Sequence, residues 1–138
     1  MTGETITVAD GALDEKTRRL LGDLLRHTDA TARLVGRGKP AFDADEFLRY
    51  AGEDLLVRMG EVVVRLDRTS PGFVEAHPGL ELRNLKDTRN VMAHGYDIVD
   101  FEIVWEILSV HLPPVAKKVR SLLPTNIGEL VPRESPHG

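Results

Sequence analysis

Leu48, Leu55 and Val62 alternate with Gly52, Met59 and Leu66 in a heptad-like seam. An α-helix advances 3.6 residues per turn, so residues spaced this way gather into one apolar stripe. A stripe running along roughly 25 residues and ending near Leu66 needs other helices to cover it, as in a helical bundle. The same spacing recurs before it. Leu13, Leu20, Leu21, Leu24, Leu25, Thr28, Ala32 and Val35 mark a helix that Gly36, Gly38 and Pro40 bring to a stop. Asp43 is the expected cap of the seam helix, with Glu46 three residues later and Phe42 and Phe47 closing a hydrophobic staple.

Residues 67–80 carry two Pro-Gly signals and read as a loop. A shorter helix follows, with Leu82, Leu85, Arg89 and Met92 on one side and Gly95 where a left-handed residue would end it. Asp97 or Asp100 caps a fourth helix, whose buried face is Phe101, Val104, Leu108, Val115, Val119 and Leu122. Pro113 and Pro114 must kink or briefly break that helix, because Pro113 lacks a backbone donor and clashes one turn back. No strand-like alternation persists. The expected fold is all-α, an antiparallel four-helix bundle with a kinked last helix. Residues 1–123 form its domain, and residues 124–138, rich in proline and polar side chains, form a flexible tail.

A chain of 138 residues suits one domain. With aromatic residues at 5%, its core must rest on Leu, Val and Ile. The absence of cysteine excludes a disulfide framework, a thiolate metal site and a thiol nucleophile. No basic start leads into an apolar run, and no apolar stretch approaches the roughly 20 residues of a membrane span. A cytoplasmic protein without a membrane-embedded part is therefore expected. The net charge of −4 excludes a basic nucleic-acid coat, so any contact with RNA falls to a local basic patch.

Chemistry concentrates in RNVMAHGY, residues 89–96. Arg89 is a permanent cation with a planar fork suited to phosphate, and His94 can exchange a proton near neutral pH. Asn90 stands four residues before His94, so the two share a helical face. An arginine with a histidine suffices to cut RNA without metal, because the ribose 2′-hydroxyl is the nucleophile and the protein need only move protons and stabilise charge. In an ideal helix, however, Arg89 and His94 point about 140° apart. Either the helix loosens near Ala93, or a two-fold partner brings a second copy of the pair into one cleft.

The segment R-N-x-x-A-H-G-Y resembles the R-x4-H-x-Y signature of HepT-like toxins, a branch of the HEPN superfamily of helical ribonucleases. Met59-Gly60-Glu61-Val62 is similar to that family's I-G-E-A segment, and Phe101 to Trp105 and Leu112-Pro113 resemble its later stretches. The likeness covers about residues 14–123. It implies a metal-independent ribonuclease toxin of a type II toxin–antitoxin system that needs no cofactor. Its substrate would be RNA, with tRNA a candidate, and it would work as a homodimer or higher even oligomer. Arg89 and His94 take the catalytic roles and Asn90 supports them. An MntA-type nucleotidyltransferase antitoxin would add AMP to Tyr96. The chain departs from the family at Glu81-Leu82, where a Pro-Trp pair is frequent, and at Asp87-Thr88, where Gly-Met is frequent. The alternative is a non-catalytic HEPN interaction module that binds a nucleotidyltransferase.

Several residues keep two readings. Glu61 either orients Arg89 or serves as a solvated or capping acid. Arg83, Lys86 and Arg89 either guide phosphate or form a solvated face. The Tyr96 hydroxyl either receives AMP or bonds a neighbouring helix. His27, His77, His111 and His137 lack metal-ligand spacing and read as surface histidines.

Overall fold

The structure, a computed structural model, describes residues 13–93 and 99–123, without the side chains of residues 90–93. No strand occurs among the described residues. Helix α1 (Glu15–Val35) starts at Asp14, whose carboxylate accepts the Thr17 N–H at 2.7 Å. That backbone hydrogen bond is the main reason the Asp14 carboxyl lies below its usual pKa. The inner face of α1 holds Leu21, Leu24 and Leu34 together with Thr17, Thr28 and Thr31. Thr28 and Thr31 donate back to the carbonyls of Leu25 and His27 at 2.8 Å each, and Thr17 pairs with Ser70. Their hydroxyls are thus satisfied without water. The expected stripe position Ala32 is exposed, and Thr31 and Leu34 take its place.

The structure corrects the expected cap of the seam helix. Lys39 and Pro40 open a short helix α2 (Lys39–Ala44) that absorbs Asp43. Helix α3 (Glu46–Thr69) is capped instead by Asp45, which accepts the Phe47 N–H at 2.9 Å. This later start leaves Phe47 75% exposed while Phe42 is fully buried, so no staple forms. Phe42 packs edge-on against Phe101 and tilted against Trp105. The buried stripe of α3 follows Gly52, Leu56, Met59, Val63 and Leu66, with Gly60 and Val62 beside it. Leu48 and Leu55 only flank it, half-buried.

The segment expected to be a loop is largely helical. It carries the single turn α4 (Phe73–Ala76) and a 3₁₀ turn (Pro78–Leu80), and it buries Phe73, Val74 and Leu80. Helix α5 (Leu82–Ala93) then lies along α3 with Leu82 and Leu85 buried. The described chain resumes at Val99, which packs against the core. Asp100 caps α6 (Phe101–Glu106) by accepting the N–H groups of Glu102 and Ile103. Asp97 and Gly95 lie outside the described residues.

A π-helical turn (Ile107–His111) joins α6 to α7 (Leu112–Leu122). In a plain α-helix the Pro113 ring would strike the Ser109 carbonyl. In the widened turn just ahead of it the Leu112 N–H reaches back to the Ile107 carbonyl, and helical winding continues through both prolines. The expected kink or break is realised as this turn. No described helix is long and apolar enough to cross a membrane. The expected tail, residues 124–138, lies outside the described residues.

Candidate functional site

Helices α3 and α5 meet closely at Gly60. A Cβ at that position would come within 2.0 Å of the Arg89 Cβ, 2.6 Å of the Leu85 carbonyl oxygen and 2.9 Å of the Arg89 Cγ. Real side chains do not tolerate such distances, so anything larger than glycine forces the helices apart. Glycine inside a helix is unfavourable by about 0.5–1 kcal/mol relative to alanine. Here it allows the stem of Arg89 to lie against α3.

From that seat the Arg89 guanidinium reaches the neighbouring residue on α3. Its Nη2 lies 2.9 Å from the Glu61 Oε1, and the two side chains are 31% and 33% exposed. Partial shielding strengthens such a pair over an open surface pair, while its exposed edge remains within reach of solvent or substrate. The other bases of α5 are held in the same way. Lys86 Nζ is 2.7 Å from Asp67 Oδ2, and Arg83 Nη2 is 2.5 Å from Glu75 Oε2. The row Arg83, Lys86 and Arg89 is therefore a row of ion pairs, each cation facing a carboxylate from α3 or α4. The pairing order reverses between the helices: Asp67 meets Lys86, and the earlier Glu61 meets the later Arg89.

His94, Tyr96 and the side chain of Asn90 lie outside the described residues, so Arg89 and Glu61 are the candidate residues the structure locates. The departures near the motif leave α5 packed: Leu82 is buried, Asp87 faces solvent, and Glu81 adopts a left-handed backbone with φ 57°.

The remaining histidines are dispersed. Burial, aided by the positive charges of Arg26 and Arg58, holds the half-buried His27 below its ordinary pKa. His77 stacks on Phe73 with its Nδ1 2.9 Å from the Phe73 carbonyl, and His111 Nε2 lies 3.6 Å from Glu106. His137 lies outside the described residues. Among the described residues no group of three or more His, Cys, Asp or Glu is placed to hold a metal ion.

The contact roles of Gly60 and Asp67 escape a reading based on apolar spacing. The signal for Gly60 is a helix-interior glycine inside an apolar stripe, which implies close backbone approach. Asp67 carries no comparable signal, because it looks like any surface acid near a helix end. A family model described as Ribonuclease HepT-like matches residues 24–122. No curated protein and no solved structure matches the chain.

Proposed function

The chain belongs to the HepT-like ribonuclease family, whose model spans residues 24–122, and from that premise we propose a metal-independent endoribonuclease acting as the toxin of a type II toxin–antitoxin pair. The observation that carries this reading is the Arg89–Glu61 pair, seated at Gly60, with Arg89 five residues before His94 in the chain. His94 takes the proton of a ribose 2′-hydroxyl, whose oxygen attacks the adjacent phosphorus. Arg89 stabilises the charge that grows on the phosphoryl oxygens. The bond to the 5′ oxygen breaks and that oxygen leaves with a proton, giving a 2′,3′-cyclic phosphate and a 5′-hydroxyl. Glu61 keeps the guanidinium fork in place, and Asn90 supports it.

The divergence of Arg89 and His94 on an ideal helix favours a two-fold dimer of antiparallel HEPN-type bundles, with both motifs at one cleft. In the cytoplasm an MntA-type nucleotidyltransferase would silence the enzyme by adding AMP to Tyr96. The added charge and base would repel and crowd an RNA phosphate.

In EDTA, purified protein is expected to cut RNA and leave 5′-hydroxyl ends. His94→Ala abolishes cleavage, and Arg89→Ala lowers it by about 10²–10³-fold, the range for a lost charge-stabilising donor. Magnesium dependence or a fully active His94→Ala protein overturns the mechanism. Coexpression with the cognate nucleotidyltransferase adds the mass of AMP at Tyr96; neutralisation without that mass overturns this mode of control. One observation favours the non-catalytic interaction module: the Arg89 guanidinium already holds a carboxylate. Intact RNA together with tight binding of the nucleotidyltransferase selects that second reading.

A further inference from the structure

A pocket of about 170 Å³ opens between α5 and the π-helical turn, and its lining on α5 runs from Glu81 to Thr88, the residue before Arg89. Leu85, Ile107 and Leu112 form an apolar floor, while Glu81, Asn84, Thr88 and His111 supply polar groups. We propose that this pocket is a nucleobase subsite, which takes one base of the RNA strand whose phosphodiester lies at Arg89, and that Glu81 biases it against uracil. The identity of the strand rests on the ribonuclease reading; the chemistry of the pocket does not.

Size comes first. The volume equals that of roughly five or six waters in the liquid and falls well below the roughly 300 Å³ at which pockets for larger ligands begin. It suits one planar ring system. The functional groups then fit a base exposed from a single strand, which proteins hold by stacking and by hydrogen bonds to its edge. His111 offers a flat ring for stacking. Asn84 brings a donor and an acceptor on one amide. Thr88 donates its hydroxyl proton to the Asn84 carbonyl at 2.8 Å, which leaves its oxygen lone pairs as acceptors. The Glu81 carboxylate only accepts. Adenine, cytosine and guanine each carry an exocyclic amine that can donate to it, whereas uracil sets its single N–H between two carbonyls.

Two independent features place these groups. Ile107 and His111 stand at the two ends of the π-helical turn, four residues apart, and both line the pocket. Such turns recur at functional sites. Glu81 has φ 57°, a left-handed conformation that residues with a side chain rarely adopt. Strain of this kind gathers where geometry is used.

The test titrates the isotope-labelled full-length protein with AMP, CMP, GMP and UMP and follows backbone amide resonances. Shifts at Asn84, Thr88 and His111 are expected, with UMP weakest. The position of Glu81 is exposed, so Glu81→Gln keeps the fold while narrowing the gap between UMP and the others. Asn84→Ala, also at an exposed position, weakens the preferred nucleotide about tenfold, the effect of one lost hydrogen bond. In cleavage of a mixed oligonucleotide pool, Glu81→Gln raises the share of cuts beside uridine. Shifts confined to other residues, or an unchanged base ranking in Glu81→Gln, overturn the proposal. Specific shifts without any RNA cleavage keep the pocket and sink the ribonuclease reading, whereas cleavage without those shifts does the reverse.

Discussion

Gly52 and Gly60 lie about two turns apart on α3, and each sits beneath a neighbouring helix. A Cβ added at Gly52 would meet Leu108 Cδ1 at 2.9 Å, Phe42 Cε1 at 3.2 Å and Val104 Cγ1 at 3.5 Å. All three are outer atoms of side chains, and small rotations can relieve them. At Gly60 the obstacles are the Arg89 Cβ and the Leu85 carbonyl, which move only if α5 moves. A glycine that faces side-chain tips tunes packing, and a glycine that faces backbone sets a distance. Here the distance set is that between α3 and the helix carrying Arg89.

The largest expected effect is at Gly60. Gly60→Ala is expected to lower stability by about 3 kcal/mol, at the upper end for overpacking, and to remove the Arg89–Glu61 contact with it. Denaturant unfolding measures the loss, and a change below 1 kcal/mol would break the distinction between the two glycines. Gly52→Ala comes second, at about 1–2 kcal/mol. A double-mutant cycle sharpens the contrast. Leu108→Val removes the nearest obstacle at Gly52, so the pair couples favourably by at least ~0.5 kcal/mol. Leu85→Val gives Gly60→Ala no such relief, because there the obstacle is a carbonyl.

Smaller effects lie away from both glycines. Asp100→Ala removes the cap of α6 and is expected to cost about 1 kcal/mol, read from the thermal midpoint. His27 gives the smallest change. Its folded pKa lies below the ordinary 6.5, chiefly through burial, so the unfolded chain binds the proton more readily. Stability therefore falls as pH drops through that ordinary value and below. His27→Gln flattens the decline by less than about 0.5 kcal/mol. An equally steep decline in the variant would show that another group carries it.

Much of this was legible in the chain alone, for reasons that differ by region. The helical class follows from spacing, since Leu21, Leu24, Met59, Leu66, Val104, Leu108 and Val115 recur at intervals that only helices bring to one side. Asp100 was readable as one of two candidate caps, with Asp97, because it stands directly before the apolar run that opens at Phe101, and the structure selects it. The start of α3 was not, because Asp43, Asp45 and Glu46 compete within four positions, and Lys39-Pro40 diverts the first into a helix of its own. The segment of residues 67–80 looked like a loop because two Pro-Gly pairs mask the burial of Phe73, Val74 and Leu80. At the site, the motif singles out Arg89, but only the fold shows Lys86 and Arg83 paired beside it. His94 and Tyr96 remain sequence inferences, outside the described residues.

The paired bases of α5 bear on how binding would respond to salt. A free cation that meets a phosphate releases a counterion from the nucleic acid, and for single strands log K falls with log salt at about −0.7 per contact. Three free cations would give a slope near −2. Yet Arg83, Lys86 and Arg89 already face Glu75, Asp67 and Glu61. An RNA strand that docked along this face would exchange one anion for another at each step, and every released carboxylate would draw back a cation from solution. The resulting slope would be shallower than a count of basic residues implies, and discrimination among strands would fall more heavily on contacts that salt does not screen.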